Sequence, residues 1–83
     1  MRYELFISEK ARTQLRDLEK IVRRQIGERV EAMRDDLRGD VIKLEGKSNR
    51  YRLRVGRYRV LFTLERNVIA IYAVKDRKEA YEQ

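Results

Sequence analysis

The sequence predicts an α+β fold, in which an N-terminal strand and a helical hairpin precede an antiparallel sheet of three to four strands. Three observations support this class. Apolar residues recur every three or four positions over 11–37, as on one side of a helix. They alternate with polar residues over 50–65, as in half-buried strands. Short turns containing glycine or asparagine interrupt the alternating part. With 83 residues, we expect a single domain, 1–83.

The first strand is predicted at 2–7, RYELFI, where every second residue is apolar. Ser8 and Glu9 then favour a helix start, because a hydroxyl caps free N–H groups and a carboxylate suits the first turn. A single helix along the whole apolar stripe would be about 40 Å long, too long for so small a domain. We therefore expect a break near 18–21, which gives a helical hairpin, and a C-terminal cap at Gly39.

Alternating or continuous apolar segments predict the remaining strands at 41–45, 50–55, 58–65 and 68–75. Gly56-Arg57 is a candidate two-residue turn. Residues 66–67 are a second one, in which Asn67 tolerates positive φ. The last strand is apolar on both faces, which predicts a central position in the sheet.

The composition limits the possible functions. The formal net charge is +7, which favours a polyanionic partner such as nucleic acid, an acidic protein or an anionic membrane surface. General solubility is the alternative explanation. The chain has no cysteine and no histidine, which excludes a disulfide framework, zinc-thiolate sites and imidazole catalysis. No metal or cofactor is expected. The N-terminus lacks an apolar run typical of a signal peptide or membrane span, so we expect a cytoplasmic protein.

The segment RYRLRVGRYRV, 50–60, concentrates positive charge on one predicted hairpin. A two-residue turn at 56–57 would place Tyr51, Leu53, Val55, Tyr58, Val60 and Phe62 on one face, under the helices. The opposite face would carry Arg50, Arg52, Arg54 and Arg59. Arg54 would lie directly opposite Arg59, and such like-charge pairs are destabilising unless an anion lies between them. Because guanidinium groups bind phosphate in a bidentate manner, we favour a phosphate site over a merely solvated strand face.

Other residues allow two interpretations. Lys43 and Lys47 extend the basic segment but could be ordinary surface charges. Tyr72 could point to either face of the sheet. Tyr81 lies in a polar tail, where an aromatic ring could stack on a nucleobase or attach the C-terminus to the body.

Three segments are similar to the RelE/ParE superfamily of bacterial and archaeal toxins. They are SEKARTQLRDL, KLEGKSNRYRLRVGRYRVLFTLERN and VKDRKEAY, which lie in the family's order between residues 8 and 81. The resemblance implies the same order of strand, helical hairpin and antiparallel sheet. It also implies one of two activities: RelE-like members cut mRNA in the ribosomal A site, and ParE-like members inhibit DNA gyrase. Both are silenced by a cognate antitoxin.

The resemblance to the nuclease branch implies catalytic roles for Arg52, Arg54, Arg59, Arg77 and Tyr81. Among the other basic residues, we expect RNA contacts at Lys43, Lys47, Arg50, Arg57 and Lys75. The chain departs from the branch in two respects. Arginine replaces lysine at 52 and 54, and a permanently charged guanidinium is a poor general base. Asp76 stands where many relatives have histidine.

The implied reaction is attack of the RNA 2′-hydroxyl on the adjacent phosphate, which needs no metal. Arg52, Arg54 and Arg59 would bind the phosphate, Arg77 would assist the leaving oxygen, and Tyr81 would stack on a base. The general base is left open between Asp76, Glu79 and Lys75. Expected partners are the ribosome with its mRNA and a cognate antitoxin, laid over the basic sheet or the helical hairpin. Operator DNA would be bound only together with the antitoxin. A third possibility is a catalytically inactive module that binds only its antitoxin.

Overall fold

The computed structural model of the protein describes residues 2–44, 46 and 49–80. Residues 79 and 80 are described by their backbone only. In chain order the elements are β1 (Glu4–Ile7), α1 (Glu9–Arg16), α2 (Lys20–Asp36), β2 (Asp40–Lys43), β3 (Arg50–Val55), β4 (Tyr58–Glu65), β5 (Val68–Asp76) and α3 (Arg77–Ala80). The predicted α+β class and the predicted division of the apolar stripe into two helices are confirmed.

The strands form one five-stranded sheet in the order β1-β5-β4-β3-β2. The four strands β2 to β5 are antiparallel, as predicted. β1 adds to β5 in parallel, so the complete sheet is mixed. β5 therefore has a neighbour on each side, which confirms its predicted central position and accounts for its apolar character on both faces.

The start of α1 and the end of α2 each have a defined cap. The Ser8 hydroxyl accepts a hydrogen bond from the Ala11 N–H at 3.1 Å, which confirms the predicted start of α1. The prediction that Gly39 caps α2 is wrong. The helix ends at Asp36, and Leu37 takes the left-handed conformation, with φ 60° and its N–H 2.8 Å from the Met33 carbonyl.

Gly39 has a different role, because its φ is 119° and a Cβ there would lie 3.0 Å from the Leu53 side chain. Glycine therefore lets the chain enter β2 close to the core. The turn before β5 also differs from the prediction. Arg66, with φ 55°, takes the positive φ that we expected at Asn67.

The core lies between the helices and one face of the sheet. Ile26, Val30 and Met33 of α2 pack in one buried cluster with the apolar residues of β3, β4 and β5. Phe62 lies at its centre, fully buried, with its ring stacked on that of Tyr51 at 5.6 Å between centroids. These contacts confirm the predicted inward face of the β3–β4 hairpin. In the described part of the chain, no helix has the length and apolar character needed to cross a bilayer.

Candidate nucleic-acid interface

The arginines of the β3–β4 hairpin lie on one face of the sheet. Since Leu53, Val55 and Val60 are buried under the helices, the side chains that alternate with them point to the other side. We call this side, which carries Arg50, Arg52, Arg54 and Arg59, the open face. The structure confirms the predicted two-residue turn at Gly56 and Arg57. This turn fixes the strand register that separates the open face from the core.

Four charged residues form a line across the open face. Asp40 pairs with Arg54, Arg54 pairs with Arg59, and Arg59 pairs with Lys75, each on neighbouring strands. We call these four residues the charged row. Neighbouring strands are about 4.8 Å apart, so three cations stand side by side. Such a line repels itself unless an anion lies over it.

Arg59 is the least satisfied member of the charged row. Its Nη1 atom is buried and has no hydrogen-bond partner among the described residues. Leaving such a donor unpaired costs about 1–3 kcal/mol. Neither Arg59 nor Lys75 forms an ion pair within the described part of the chain. Both side chains are partly exposed and have no carboxylate partner among the described residues, so an external anion can approach them, and phosphate suits a guanidinium beside an ammonium group.

Asp40 neutralises the opposite end of the row. Its carboxylate accepts a hydrogen bond from Arg52 Nη1 at 3.3 Å, and its second oxygen lies 4.0 Å from Arg54 Nε. Asp40 was not among the predicted site residues, because the strand was predicted to start at residue 41. Extending the alternation by one position would have put Asp40 on the opposite face from Val41, but its pairing with Arg54 depends on the register between β2 and β3.

A bulge in β5 decides where Tyr72 points. Leu61 pairs with Ala73, whereas Phe62 pairs with Ile71, so Tyr72 is an extra residue in β5. The guanidinium of Arg50 lies 5.3 Å from the Tyr72 ring centroid, which places the ring on the open face. Two-fold alternation along the strand could not reveal this.

The end of the β3–β4 hairpin is joined to the end of β5. Arg57 Nη2 lies 2.7 Å from Asp76 Oδ2, and the Arg57 carbonyl accepts the Arg77 N–H at 2.6 Å. Asp76 Oδ1 accepts the Lys78 N–H at 3.0 Å. This hydrogen bond and the Arg57 charge lower the pKa of Asp76, despite partial desolvation. Asp76 is thus a carboxylate held in its ionised form, which makes it a weak proton acceptor.

A family model described as "ParE toxin of type II toxin-antitoxin system, parDE" matches residues 5–81. The chain belongs to the RelE/ParE superfamily of type II toxin–antitoxin toxins. No curated protein sequence matches it.

Solved RelE structures have the same fold as this RelE/ParE toxin. The archaeal RelE–RelB complex from Pyrococcus horikoshii contains a chain with 32% identity and a TM-score of 0.79; the alignment covers 93% of our chain and 97% of the other. The RelB–RelE antitoxin–toxin complex from Methanococcus jannaschii contains a chain with 25% identity and a TM-score of 0.79; the alignment covers 93% of our chain and 95% of the other. A mutant of E. coli toxin RelE in the free state, with 24% identity and a TM-score of 0.79 over 99% of our chain and 90% of the other, shows the fold alone.

The toxin brings together only some of the residues expected to contact RNA. Arg54, Arg59 and Lys75 share the charged row, with Arg52 and Arg50 beside it on the open face. Arg57 and Arg77 lie at the end of the β3–β4 hairpin, and together with Asp76 and Lys78 they line a shallow pocket.

The remaining candidates are placed elsewhere or are not described. Lys43 pairs with Tyr51 at the sheet edge, on the helix side, and is therefore separated from the charged row. Lys47 and Tyr81 lie outside the described residues, as does the side chain of Glu79. Their proposed roles stay predictions from the sequence.

The Asp76 contacts lead to a pH-dependent prediction. In Asp76→Asn the amide oxygen can still accept the Lys78 N–H, but the charge is lost. Because the folded pKa lies below the unfolded value of 3.8, the carboxylate stabilises the fold above pH 3.8, and this contribution declines as pH falls further through the folded pKa. We expect Asp76→Asn to have the lower Tm at neutral pH and the difference to vanish in strong acid. Thermal melts along an acid titration test this.

Glu28→Gln is a suitable control, since Glu28 is exposed on α2 and has no ion pair within the described segments. An Asp76→Asn difference in Tm that is independent of pH would contradict the assignment.

Proposed function

We propose that this toxin is a ribosome-dependent endoribonuclease that cuts mRNA in the A site and so inhibits translation. The observation that carries the proposal is the line of Arg54, Arg59 and Lys75 across neighbouring strands, in which neither Arg59 nor Lys75 has a carboxylate partner among the described residues. A phosphate over the row would relieve the repulsion among the three cations. The similarity to archaeal RelE chains supports the same branch.

The proposed reaction uses the substrate's own nucleophile. The 2′-oxygen forms a bond to the adjacent phosphorus as the bond from phosphorus to the 5′-oxygen breaks. The 2′-hydroxyl proton passes to a base, and a proton is supplied to the departing 5′-oxygen. Negative charge grows on the non-bridging oxygens, where Arg54, Arg59 and Lys75 stabilise it. Such a site relies on the ribosome to align the mRNA, because orientation contributes much of the rate.

The proton donors and acceptors are assigned from position. Asp76 is engaged by Arg57 and the Lys78 N–H, so it is poorly suited to act as the base. Lys75 lies in the charged row itself; to act as the base it must first lose its own proton, and Arg54 and Arg59 would then supply the positive charge at the phosphate. Arg77, at the start of α3, is proposed to assist the leaving oxygen, and Tyr81 is proposed to stack on a base.

A cognate antitoxin is the proposed protein partner, since the archaeal relatives were crystallised as RelE–RelB complexes. The net charge of +7 would attract an acidic antitoxin. Contact with operator DNA is proposed only for the toxin bound to its antitoxin.

Gyrase inhibition is the second candidate. Two observations favour it: the matching family is described as the ParE toxin, and Asp76, which stands where nuclease relatives have histidine, is held by structural contacts. On this hypothesis the open face binds a protein or DNA surface and catalyses no reaction.

A translating extract separates the two candidates. We expect the purified toxin to break mRNA at positions held in the ribosomal A site, mapped by primer extension, and to leave the same mRNA intact when initiation is blocked. A gyrase supercoiling assay is run in parallel. Intact mRNA with inhibited supercoiling would replace the nuclease proposal with the gyrase one. No effect in either assay would indicate an inactive module that binds only its antitoxin.

A further inference from the structure

Asp40 makes two kinds of contact with Arg52. The Arg52 Nη1 atom donates to the Asp40 backbone carbonyl at 3.0 Å and to its carboxylate at 3.3 Å. The first bond ties the edge strand β2 to β3 and does not depend on the side chain. The second, together with the 4.0 Å approach to Arg54 Nε, places a negative charge beside both guanidinium groups.

This carboxylate divides the cations of the open face into two groups. Arg52 is held against the sheet, with only 16% of its side chain exposed, and Arg54 is partly neutralised. Arg59 and Lys75 have no carboxylate partner among the described residues. An incoming anion therefore meets Arg59 and Lys75 first, and it reaches Arg52 and the near side of Arg54 only by displacing Asp40.

We propose that Asp40 is a positioning residue that occupies Arg52 and Arg54 in the free toxin and competes with the RNA phosphates for them. The naming of RNA as the competing anion rests on the proposed function; the competition itself rests on the contacts of Asp40. Half of the Asp40 side chain is exposed, so the ion pair is weak enough to exchange. The carboxylate also offsets part of the positive charge that Arg54 presents to Arg59 while no anion is bound.

The test uses the full chain and a single-stranded RNA oligonucleotide, with affinity measured by fluorescence anisotropy over a range of salt concentrations. Asp40→Asn removes the charge but leaves the backbone carbonyl that holds Arg52. We expect about two- to fivefold tighter binding, in line with the loss of a partly exposed ion pair. If one more phosphate contact forms, the slope of log affinity against log salt becomes steeper by about 0.7.

Two further variants control this experiment. Glu28→Gln raises the net charge by the same amount from an exposed position on α2, and it should change affinity and slope little. Asp40→Glu keeps a carboxylate and should stay near the wild type. A purely structural role for Asp40 would alter Tm without steepening the salt dependence.

Equal behaviour of Asp40→Asn and Glu28→Gln would overturn the proposal, as would weaker binding by Asp40→Asn or no measurable RNA binding by any variant. These outcomes are separate from those of the cleavage assay. Tighter binding by Asp40→Asn without mRNA breaks would retain the role of Asp40 and reject the nuclease.

Discussion

Arg59→Ala is expected to lower mRNA cleavage in a translating extract by about 100- to 1000-fold, the usual effect of removing one donor to developing charge. Arg59 is the member of the charged row with a buried, unpaired donor, and it stands between Arg54 and Lys75. Primer extension on a defined mRNA, with time points, gives the rate.

The fold should survive this change. Arg59→Ala removes a cation that faces Arg54 directly and a buried donor without a partner, so we expect a Tm equal to or above that of the wild type. Arg29→Ala removes the same charge from an exposed position on α2 and should retain full cleavage. Arg59→Lys keeps the charge but loses the planar guanidinium group, so its cleavage rate should lie between those of Arg59→Ala and the wild type.

Cleavage by Arg59→Ala at the wild-type rate would exclude the charged row as the phosphate site. Loss of cleavage together with a fall in Tm would point to a structural role for Arg59 instead.

Phe62→Ala is expected to lower the free energy of unfolding by about 3–5 kcal/mol. The side chain is fully buried, stacks on Tyr51, and belongs to the cluster that joins α2 to the sheet. The free energy of unfolding of a small domain is about 5–15 kcal/mol, and it is lower for shorter chains. This variant should therefore be largely unfolded at modest urea concentrations. Urea titration followed by circular dichroism measures the shift of the midpoint.

The other phenylalanine of the chain, Phe6, provides the matched control. Phe6 lies on β1, 60% exposed, so Phe6→Ala removes the same atoms from the surface and should change stability by about 0.5 kcal/mol or less. Phe62→Leu is a milder variant with a measurable transition if Phe62→Ala does not fold. Similar midpoints for Phe62→Ala and Phe6→Ala would contradict the assigned core.

The β3–β4 hairpin could be predicted almost completely. A two-residue turn fixes the register of its strands, and strict alternation then assigns every side chain to a face. The opposition of Arg54 and Arg59 followed from these two facts alone. The break between α1 and α2 was also predictable, because a continuous helix could not bury its apolar stripe on so small a sheet.

The partners of the arginines were not predictable in this way. Asp40 reaches Arg52 and Arg54 only because β2 pairs with β3 across a connection whose length does not fix the register. Lys75 joins Arg59 through a similar pairing between β4 and β5, and the bulge at Tyr72 shifts the faces of β5 partway along the strand. The end of α2 at Leu37 rather than Gly39 was missed because tertiary packing stabilised a left-handed leucine.

The fold class, the inward face of the β3–β4 hairpin and the concentration of arginines on the opposite face follow from the amino-acid order alone, since periodicity and turn length act over a few neighbouring residues. Which charges meet depends on how the distant strands pair. Asp40 neutralises Arg52 and Arg54, while Arg59 is left with a buried unpaired donor beside Lys75. The physical reason is that charges interact through space across paired strands, and the register of distant strands depends on the packing of the whole sheet.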